Sequence, residues 1–116
     1  MNESLANTVI LITREGIGSA DVALQHKHFG TYLKLLLEND SLPAAICFYT
    51  DGVKLAMEGS PFLEPLSQLE QRGVRLISCS TCIYYFELIE KVKVGVVGGM
   101  PDILEAQIRA SKVITL

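Results

Sequence analysis

Two cysteines three positions apart, Cys79 and Cys82, are the residues of this chain best suited to carry out chemistry. They follow the short, mostly apolar run Val74–Ile77 and precede the amphipathic pattern Ile83–Glu90. A short apolar run followed by a helical pattern predicts a strand, a tight loop and a helix, with both thiols at the loop. In open parallel sheets, ligands bind at the carboxyl ends of the strands. The sequence therefore predicts thiol chemistry at a strand-to-helix junction.

The start of a helix favours a sulfur anion. The first N–H groups of a helix have no partner within it, and the aligned peptide dipoles add partial positive charge there. A thiolate at that position is stabilised, so its pKa should fall and its reactivity at neutral pH should rise. With Thr81 as the N-cap residue, Cys82 becomes the first residue of the helix. We therefore predict that Cys82 is the more reactive thiol and that Cys79 is its resolving or auxiliary partner.

The Cys79–Cys82 pair also has the C-x-x-C spacing that occurs in metal sites and in redox dithiols. A zinc site needs two further ligands. Cys47 falls in a predicted strand, and His26 and His28 lie two positions apart on a helix and so point in different directions. No metal is therefore predicted within one chain, although a metal bound between subunits is an alternative. A dithiol redox switch and two small buried residues at a tight turn are the other interpretations.

Two glycines near the amino end, Gly16 and Gly18, follow a predicted strand and precede a helix. This arrangement is typical of dinucleotide-binding loops, but Asp21 stands where the third glycine of that motif is required. An acidic residue there would repel a pyrophosphate, and the sequence contains no phosphate-binding G-x-x-x-x-G-K-[ST] motif. The glycines are interpreted as turn geometry, or as room for a partner near the thiols, and no cofactor is predicted.

Length and composition limit the classes of protein to which the chain can belong. Its 116 residues, 49% of them hydrophobic, suit one domain over residues 1–116 with a single core. A net charge of −3 gives no support for binding to nucleic acid or to an anionic membrane. Neither a transmembrane run of apolar residues nor a secretory signal is visible, so a cytoplasmic protein is predicted. Three cysteines, an odd number, argue against a disulfide framework.

Apolar runs and helical periodicity alternate along the chain. Five strands are predicted, at Thr8–Thr13, Ala44–Tyr49, Val74–Ile77, Val94–Val97 and Lys112–Leu116. Helices are predicted at Ala20–Glu38, from Ser60 to Gln71, from the thiols to Lys91 and at Pro101–Ala110, with a short helical piece at Val53–Met57. This alternation predicts an α/β fold, namely a three-layer α/β/α domain with a five-stranded, mostly parallel sheet.

Right-handed crossovers between parallel strands place the carboxyl ends of the strands at one edge of the sheet. The loops Arg14–Ser19, Thr50–Val53 and Ser78–Cys82 should therefore meet near that edge, with Gly98–Met100 as a fourth candidate. Lys54, beside the second of these loops, would add positive charge near the thiols. The order of the strands within the sheet does not follow from the sequence.

Four segments of the chain carry a family resemblance, namely Thr50–Ala56, Glu58–Pro61, Leu76–Cys82 and the closing Ala110–Leu116. Together with the order of the elements, they resemble the DsrE/DsrF-like family. The chain is most similar to the DsrE-like C-terminal domain of YedF-type proteins, which are associated with selenium metabolism. The likeness covers nearly the full chain, and its most specific parts are Gly-Val-Lys-Leu-Ala and Cys-x-Thr-Cys.

The resemblance implies a three-layer α/β domain that handles sulfur and often forms homo-oligomers. In family members that relay sulfur, a cysteine at the start of the helix after the third strand carries a persulfide, and Cys82 matches that position. Cys79 matches the extra cysteine of the YedF-like subgroup. YedF-type proteins usually begin with a TusA-like domain that has a Cys-Pro motif, and neither is present in this sequence. The resemblance thus implies either a sulfur donor or acceptor protein on another polypeptide, such as a TusA-like protein, or an altered relay.

The sequence and the resemblance together predict a sulfur or selenium relay protein, sulfurtransferase-like, with a persulfide on Cys82. Cys82 and Cys79 are the predicted site residues. The alternative is an oligomeric dithiol redox or metal-binding module without transferase activity. No cofactor is predicted, and whether the chain acts as an enzyme or as a carrier is left open.

Overall fold

Five runs of apolar, largely β-branched residues form the parallel sheet of this protein. The structure is a computed structural model, and it describes residues 5–116. The strands are β1 Thr8–Ile12, β2 Ala45–Phe48, β3 Arg75–Cys79, β4 Val96–Gly98 and β5 Lys112–Thr115. They lie in the order β4-β3-β2-β1-β5, and every neighbouring pair is parallel. The predicted five-stranded sheet is confirmed.

The helices lie on both faces of the sheet. They are α1 Val22–Glu38, α2 Leu63–Gln71, α3 Ser80–Tyr85 and α4 Met100–Arg109, with 3-10 segments at Thr50–Ala56 and Ile89–Lys91. From β1 to β4 each strand is added on the same side of the last, so right-handed crossovers put the intervening helices on one face. The return from β4 to β5 passes to the other edge of the sheet, and it places α4 on the opposite face.

Alternation of side chains along the strands divides the core into two layers. Ile10, Ile12, Ile46 and Phe48 point toward one face, where they pack with residues of α1 and α2. Their neighbours point the other way and pack against α4, and this layer comprises Val9, Leu11, Ala45, Cys47, Ile77, Cys79, Ile103 and Ala106. Strands β1 and β2 are buried along their whole length, as expected for strands covered on both faces. The three-layer α/β/α fold is therefore confirmed.

The helix after the thiols is shorter than predicted. It ends at Tyr85, whereas the sequence pattern predicted a helix reaching Lys91. Glu87 adopts a left-handed conformation with φ 57°. The N–H of Glu87 donates to the Tyr84 carbonyl and the N–H of Leu88 to the Ile83 carbonyl, which is the Schellman arrangement that ends helices. Glycine usually occupies the left-handed position of this motif, so the sequence carries no ordinary stop signal.

The other boundaries differ from the predicted ones for local reasons. Helix α2 begins at Leu63, which leaves Pro65 in its first turn, where a missing N–H costs nothing. Strand β3 continues through Cys79 because β4 pairs with its last residues, with Cys79 opposite Gly98. Over residues 5–116, no helix combines the length and the apolar character needed to cross a membrane.

Candidate functional site

The loops after β1 and β2 meet the junction of β3 and α3 at the carboxyl edge of the sheet. The N–H of Thr50, just after β2, donates a hydrogen bond to Cys82 Sγ at 3.0 Å. The hydroxyl of Thr50 donates to the carbonyl of Thr13, which follows β1. The end of β4 lies beside them, because Gly98 pairs with Cys79. Parallel pairing thus assembles the predicted edge around the Cys82 sulfur.

Cys82 is the third residue of α3 and not the first. Cys79 ends β3, occupies the N-cap position itself and has extended backbone angles (φ −67°, ψ 122°). The prediction that Thr81 caps the helix is therefore wrong. The physical reason is the pairing with β4, which prolongs β3 as far as Cys79 and leaves no loop between strand and helix.

The thiols differ in how far solvent reaches them. Cys79 is 1% exposed and Cys47 is fully buried within β2. Cys82 is partly exposed, and its apolar contacts extend to both layers of the core. Burial raises the pKa of Cys47 to about 11, so this thiol behaves as the small apolar residue that the sequence predicted. An external reagent therefore meets Cys82 first among the three cysteines.

The electrostatic surroundings of Cys82 differ from the sequence prediction. Burial raises the pKa of the Cys82 thiol above its ordinary value of 9.0, and the hydrogen bond and charge of Cys79 raise it further. The N–H of Thr50 opposes these effects and lowers the pKa. The predicted fall in pKa is thus wrong, because burial and the neighbouring Cys79 together outweigh the lowering effect of the Thr50 N–H. A helix of six residues has only a small dipole.

Lys54 lies near the site but is held by other groups. Its ammonium is 2.8 Å from a carboxylate oxygen of Asp51 and 4.5 Å from the centre of the Phe86 ring. The hydrogen bond to Asp51 raises the pKa of Lys54, so its positive charge is retained. The groups that shift the pKa of Cys82 are Thr50 and Cys79, together with burial. The predicted contribution of Lys54 to the thiols is therefore not found.

Thr50 is the site residue that sequence reasoning missed. The sequence identifies residues 50–52 as a turn, but it does not indicate that the N–H of Thr50 faces a sulfur atom. The one available signal is that the residue after β2 lies at the same sheet edge as the residues after β3. This predicts that the two segments lie close together, but it does not predict the direction of any N–H group.

The other candidate sites have structural explanations. Gly16 has φ 128°, and a Cβ there would come within 2.3 Å of the Gln25 carbonyl oxygen, so this glycine allows the loop to pack on α1. The ring of His26 makes an edge-to-face contact with Phe62 at 5.1 Å, while His28 is exposed. Across the described part of the chain, no group of three or more His, Cys, Asp or Glu residues is arranged to hold a metal ion.

The raised pKa of Cys82 predicts a steep dependence of its alkylation on pH. Because the thiolate is the reactive form, the rate should rise about tenfold per pH unit below the pKa. We expect this rise to continue past the pH at which an ordinary cysteine thiol levels off, since burial raises the pKa of Cys82. Iodoacetamide kinetics, read by mass spectrometry of the modified peptide, measure it. Cys47 serves as the internal control and should react far more slowly at every pH. A rate that levels off below pH 8 would contradict this prediction.

Comparisons with known proteins agree with this fold. The sequence profile of the DsrE/DsrF-like family matches residues 14–116. The protein of unknown function MTH1491 from Methanobacterium thermoautotrophicum has 20% identity and a TM-score of 0.68, and the match covers 96% of this chain and 99% of that one. The ychN protein from E. coli has 19% identity and a TM-score of 0.70, with the same coverage. These two structures share the fold. A comparison with curated proteins gives no significant match. Because the family profile spans most of its length, the chain belongs to the DsrE/DsrF-like family.

Proposed function

We propose that this protein relays sulfur and holds it as a persulfide on Cys82. Membership of the DsrE/DsrF-like family, which is associated with sulfur relay, supports the proposal. The observation that carries it is the position of Cys82, a partly exposed thiol where the loops after β1 and β2 meet the start of α3, with an N–H donor 3.0 Å from its sulfur. The other two thiols are buried and cannot receive sulfur directly from a partner.

The loading step is a nucleophilic exchange of sulfur. The Cys82 thiolate attacks the outer sulfur of a donor persulfide R–S–SH, a new S–S bond forms, and the donor leaves as R–S⁻. In the reverse sense, an acceptor thiolate attacks the outer sulfur of Cys82–S–SH, and Cys82 leaves as a thiolate. The Thr50 N–H stabilises the Cys82 sulfur anion in both directions. Neither exchange needs an external oxidant or reductant.

The raised pKa of Cys82 suits a residue that holds sulfur. A thiolate of higher pKa is intrinsically more nucleophilic, and it is a poorer leaving group in exchange with another thiol. Cys82 therefore reacts well once it is deprotonated, and its persulfide is lost slowly to small thiols. A partner that takes the sulfur quickly has to stabilise the departing Cys82 thiolate.

We propose Cys79 as the resolving thiol. It lies close enough to Cys82 to raise the pKa of that thiol, and it is shielded from solvent. Its thiolate can attack the inner sulfur of the Cys82 persulfide, which forms a Cys79–Cys82 disulfide and expels HS⁻. In this step the Cys79 sulfur is oxidised, the Cys82 sulfur keeps the oxidation level it had in the persulfide, and the outer sulfur is reduced to sulfide. An external dithiol then restores the free thiols. The same contact between thiols supports the alternative function of a dithiol redox module.

Three finer proposals concern the subgroup, the partner and the assembly. The Cys79–Cys82 pair supports a YedF-like subgroup, with selenium as an alternative cargo. A donor or acceptor such as a TusA-like protein is the proposed partner, and transfer of labelled sulfur to such a protein from the loaded chain tests it.

Exposed apolar residues every four positions on α4 support a homo-oligomer, and light scattering measures the mass of the assembly. They are Met100, Leu104 and Ile108, which are 50%, 52% and 73% exposed.

The relay function is tested by locating the residue of the wild-type protein to which sulfur is added. The protein is incubated with glutathione persulfide, digested with trypsin and analysed by mass spectrometry. The peptide of residues 76–91 contains Cys79 and Cys82, and the peptide of residues 35–54 contains Cys47. We expect the mass of one sulfur atom to be added to the first peptide, with fragment ions placing it on Cys82. No gain in mass, or a gain on Cys47, contradicts the relay. A Cys79–Cys82 disulfide formed without any persulfide favours the redox alternative.

A further inference from the structure

We propose that Thr50 is a positioning residue for Cys82, because its hydroxyl fixes the backbone conformation that directs its N–H at the sulfur. The proposal rests on the proposed function in one respect only, that Cys82 is the reacting thiol. Thr50 acts through its main chain: its N–H donates to the sulfur, whereas its hydroxyl donates to the carbonyls of Thr13 and Tyr49.

The backbone of Thr50 is in an unusual conformation. Its φ is 51°, in the left-handed region. Residues branched at Cβ rarely adopt this region, because the side chain collides with the neighbouring peptide groups. Such conformations persist where the surrounding structure enforces them, and they cluster at functional sites. Thr50 directly follows Tyr49, whose N–H continues the sheet ladder to the Ile12 carbonyl. The left-handed residue therefore turns the chain away from β2 at the point where it passes Cys82.

The hydroxyl of Thr50 holds the backbone of this residue in its left-handed conformation. Its Oγ1 lies within hydrogen-bonding distance of the Thr13 carbonyl oxygen and is 2.7 Å from the Tyr49 carbonyl oxygen. The hydroxyl has one hydrogen, which these two carbonyl oxygens share. Its bond to Thr13 ties the loop after β2 to the loop after β1, and its bond to Tyr49 constrains the peptide just before Thr50. A valine at this position has nearly the same shape but donates no hydrogen bond, so both constraints would be lost together.

The N–H of Thr50 then acts on the sulfur. It lies 3.0 Å from Cys82 Sγ. A hydrogen bond to an ionised acceptor is stronger than one to its neutral form, so this contact favours the thiolate over the thiol. Among the interactions of Cys82 within residues 5–116, the hydrogen bond from the Thr50 N–H is the one that lowers the pKa of the thiol. Small displacements of the Thr50 peptide should thus change the reactivity of Cys82.

The experiment compares substitutions at Thr50 by the pH dependence of Cys82 alkylation. In Thr50→Val the hydroxyl is lost, and we expect the apparent pKa of Cys82 to rise by about one unit, with an alkylation rate about tenfold lower at pH 8. Thr50→Ser keeps the hydroxyl and should restore most of the rate. Thr50→Gly lacks the hydroxyl but adopts positive φ freely, so it should fall between valine and serine. Thr31→Val, which removes an exposed hydroxyl on α1, is the matched control.

The outcomes separate positioning from a merely structural role. If Thr50→Val has the pH profile of the unmodified protein, the proposal is overturned, even if the variant is less stable. If Thr50→Val does not fold, the other two variants decide. Slower alkylation of Cys82 in Thr50→Gly than in Thr50→Ser supports the proposal, and equal rates overturn it. A shifted profile without persulfide on Cys82 leaves the positioning role standing and removes the relay. If persulfide forms on Cys82 but the pH profiles of the Thr50 variants are unshifted, the relay stands and the positioning role is overturned.

Discussion

Replacing Cys82 with serine is expected to abolish sulfur uptake from a persulfide donor. A serine hydroxyl stays protonated at physiological pH and does not attack a sulfane sulfur. Cys79 and Cys47, 1% and 0% exposed, lie out of reach of a donor. Sulfur bound per chain should therefore fall to the level of protein whose thiols have all been alkylated. Mass spectrometry of the intact chain, with cyanolysis of the bound sulfur, measures the loss.

The other two cysteines provide matched controls. Cys47→Ala replaces one small buried residue with another and should leave uptake unchanged. Cys79→Ala should take up sulfur and hold it longer, since no resolving thiol remains. It should also lower the pKa of Cys82, because the hydrogen bond and charge of Cys79 both raise that pKa, so alkylation at pH 7 becomes faster. Undiminished uptake by Cys82→Ser would refute the assignment of Cys82, whatever the controls show.

Replacing Gly52 with alanine is expected to destabilise the fold by about 3 kcal/mol, at the upper end of the range for overpacking. A Cβ at this position would approach the carbonyl oxygen of Ile12 closely, since the two atoms would be 2.1 Å apart. The obstacle is the main chain of β1, which cannot rotate aside as a side chain does. The free energy of unfolding from urea titration followed by circular dichroism measures the effect.

A second glycine separates the steric collision from the general cost of losing a glycine. Gly59 has φ 92°, and nothing lies within 4 Å of a Cβ built there, so Gly59→Ala should cost only about 1 kcal/mol through backbone strain. Gly52→Ala should also displace the nearby Thr50 peptide and slow Cys82 alkylation, whereas Gly59→Ala should not. Equal losses of stability in the two variants would show that the approach to Ile12 is not what makes Gly52 necessary.

Much of the architecture follows from local patterns in the sequence. Continuous apolar runs predict β1 and β2 because strands covered on both faces have no polar side. Their alternation with helical periodicity predicts a parallel sheet with helices on both faces, which the structure confirms. Four segments, the thiol segment among them, resemble the DsrE/DsrF-like family, which the family profile confirms. The YedF-like subgroup and the site roles of Cys82 and Cys79 stay predictions.

The start and end of α3 did not follow from the sequence. Its start depends on β4, which prolongs β3 through Cys79 and makes Cys82 the third helical residue. Its end depends on Glu87 in a left-handed conformation that usually requires glycine. The start results from a strand pairing outside the local pattern, and the end from a backbone conformation that the residue type of Glu87 does not indicate.

The sequence by itself determined that two thiols lie where a strand meets a helix. Only the tertiary structure decided their chemistry. Burial by both layers of the core raises the pKa of Cys82, against the sequence prediction, and the N–H that opposes this comes from Thr50, 32 positions earlier in the chain. The pKa of a thiol depends on every group packed around it in space. Sequence spacing records only the neighbours along the chain, so the strand and helix could be predicted, whereas desolvation and a distant donor could not.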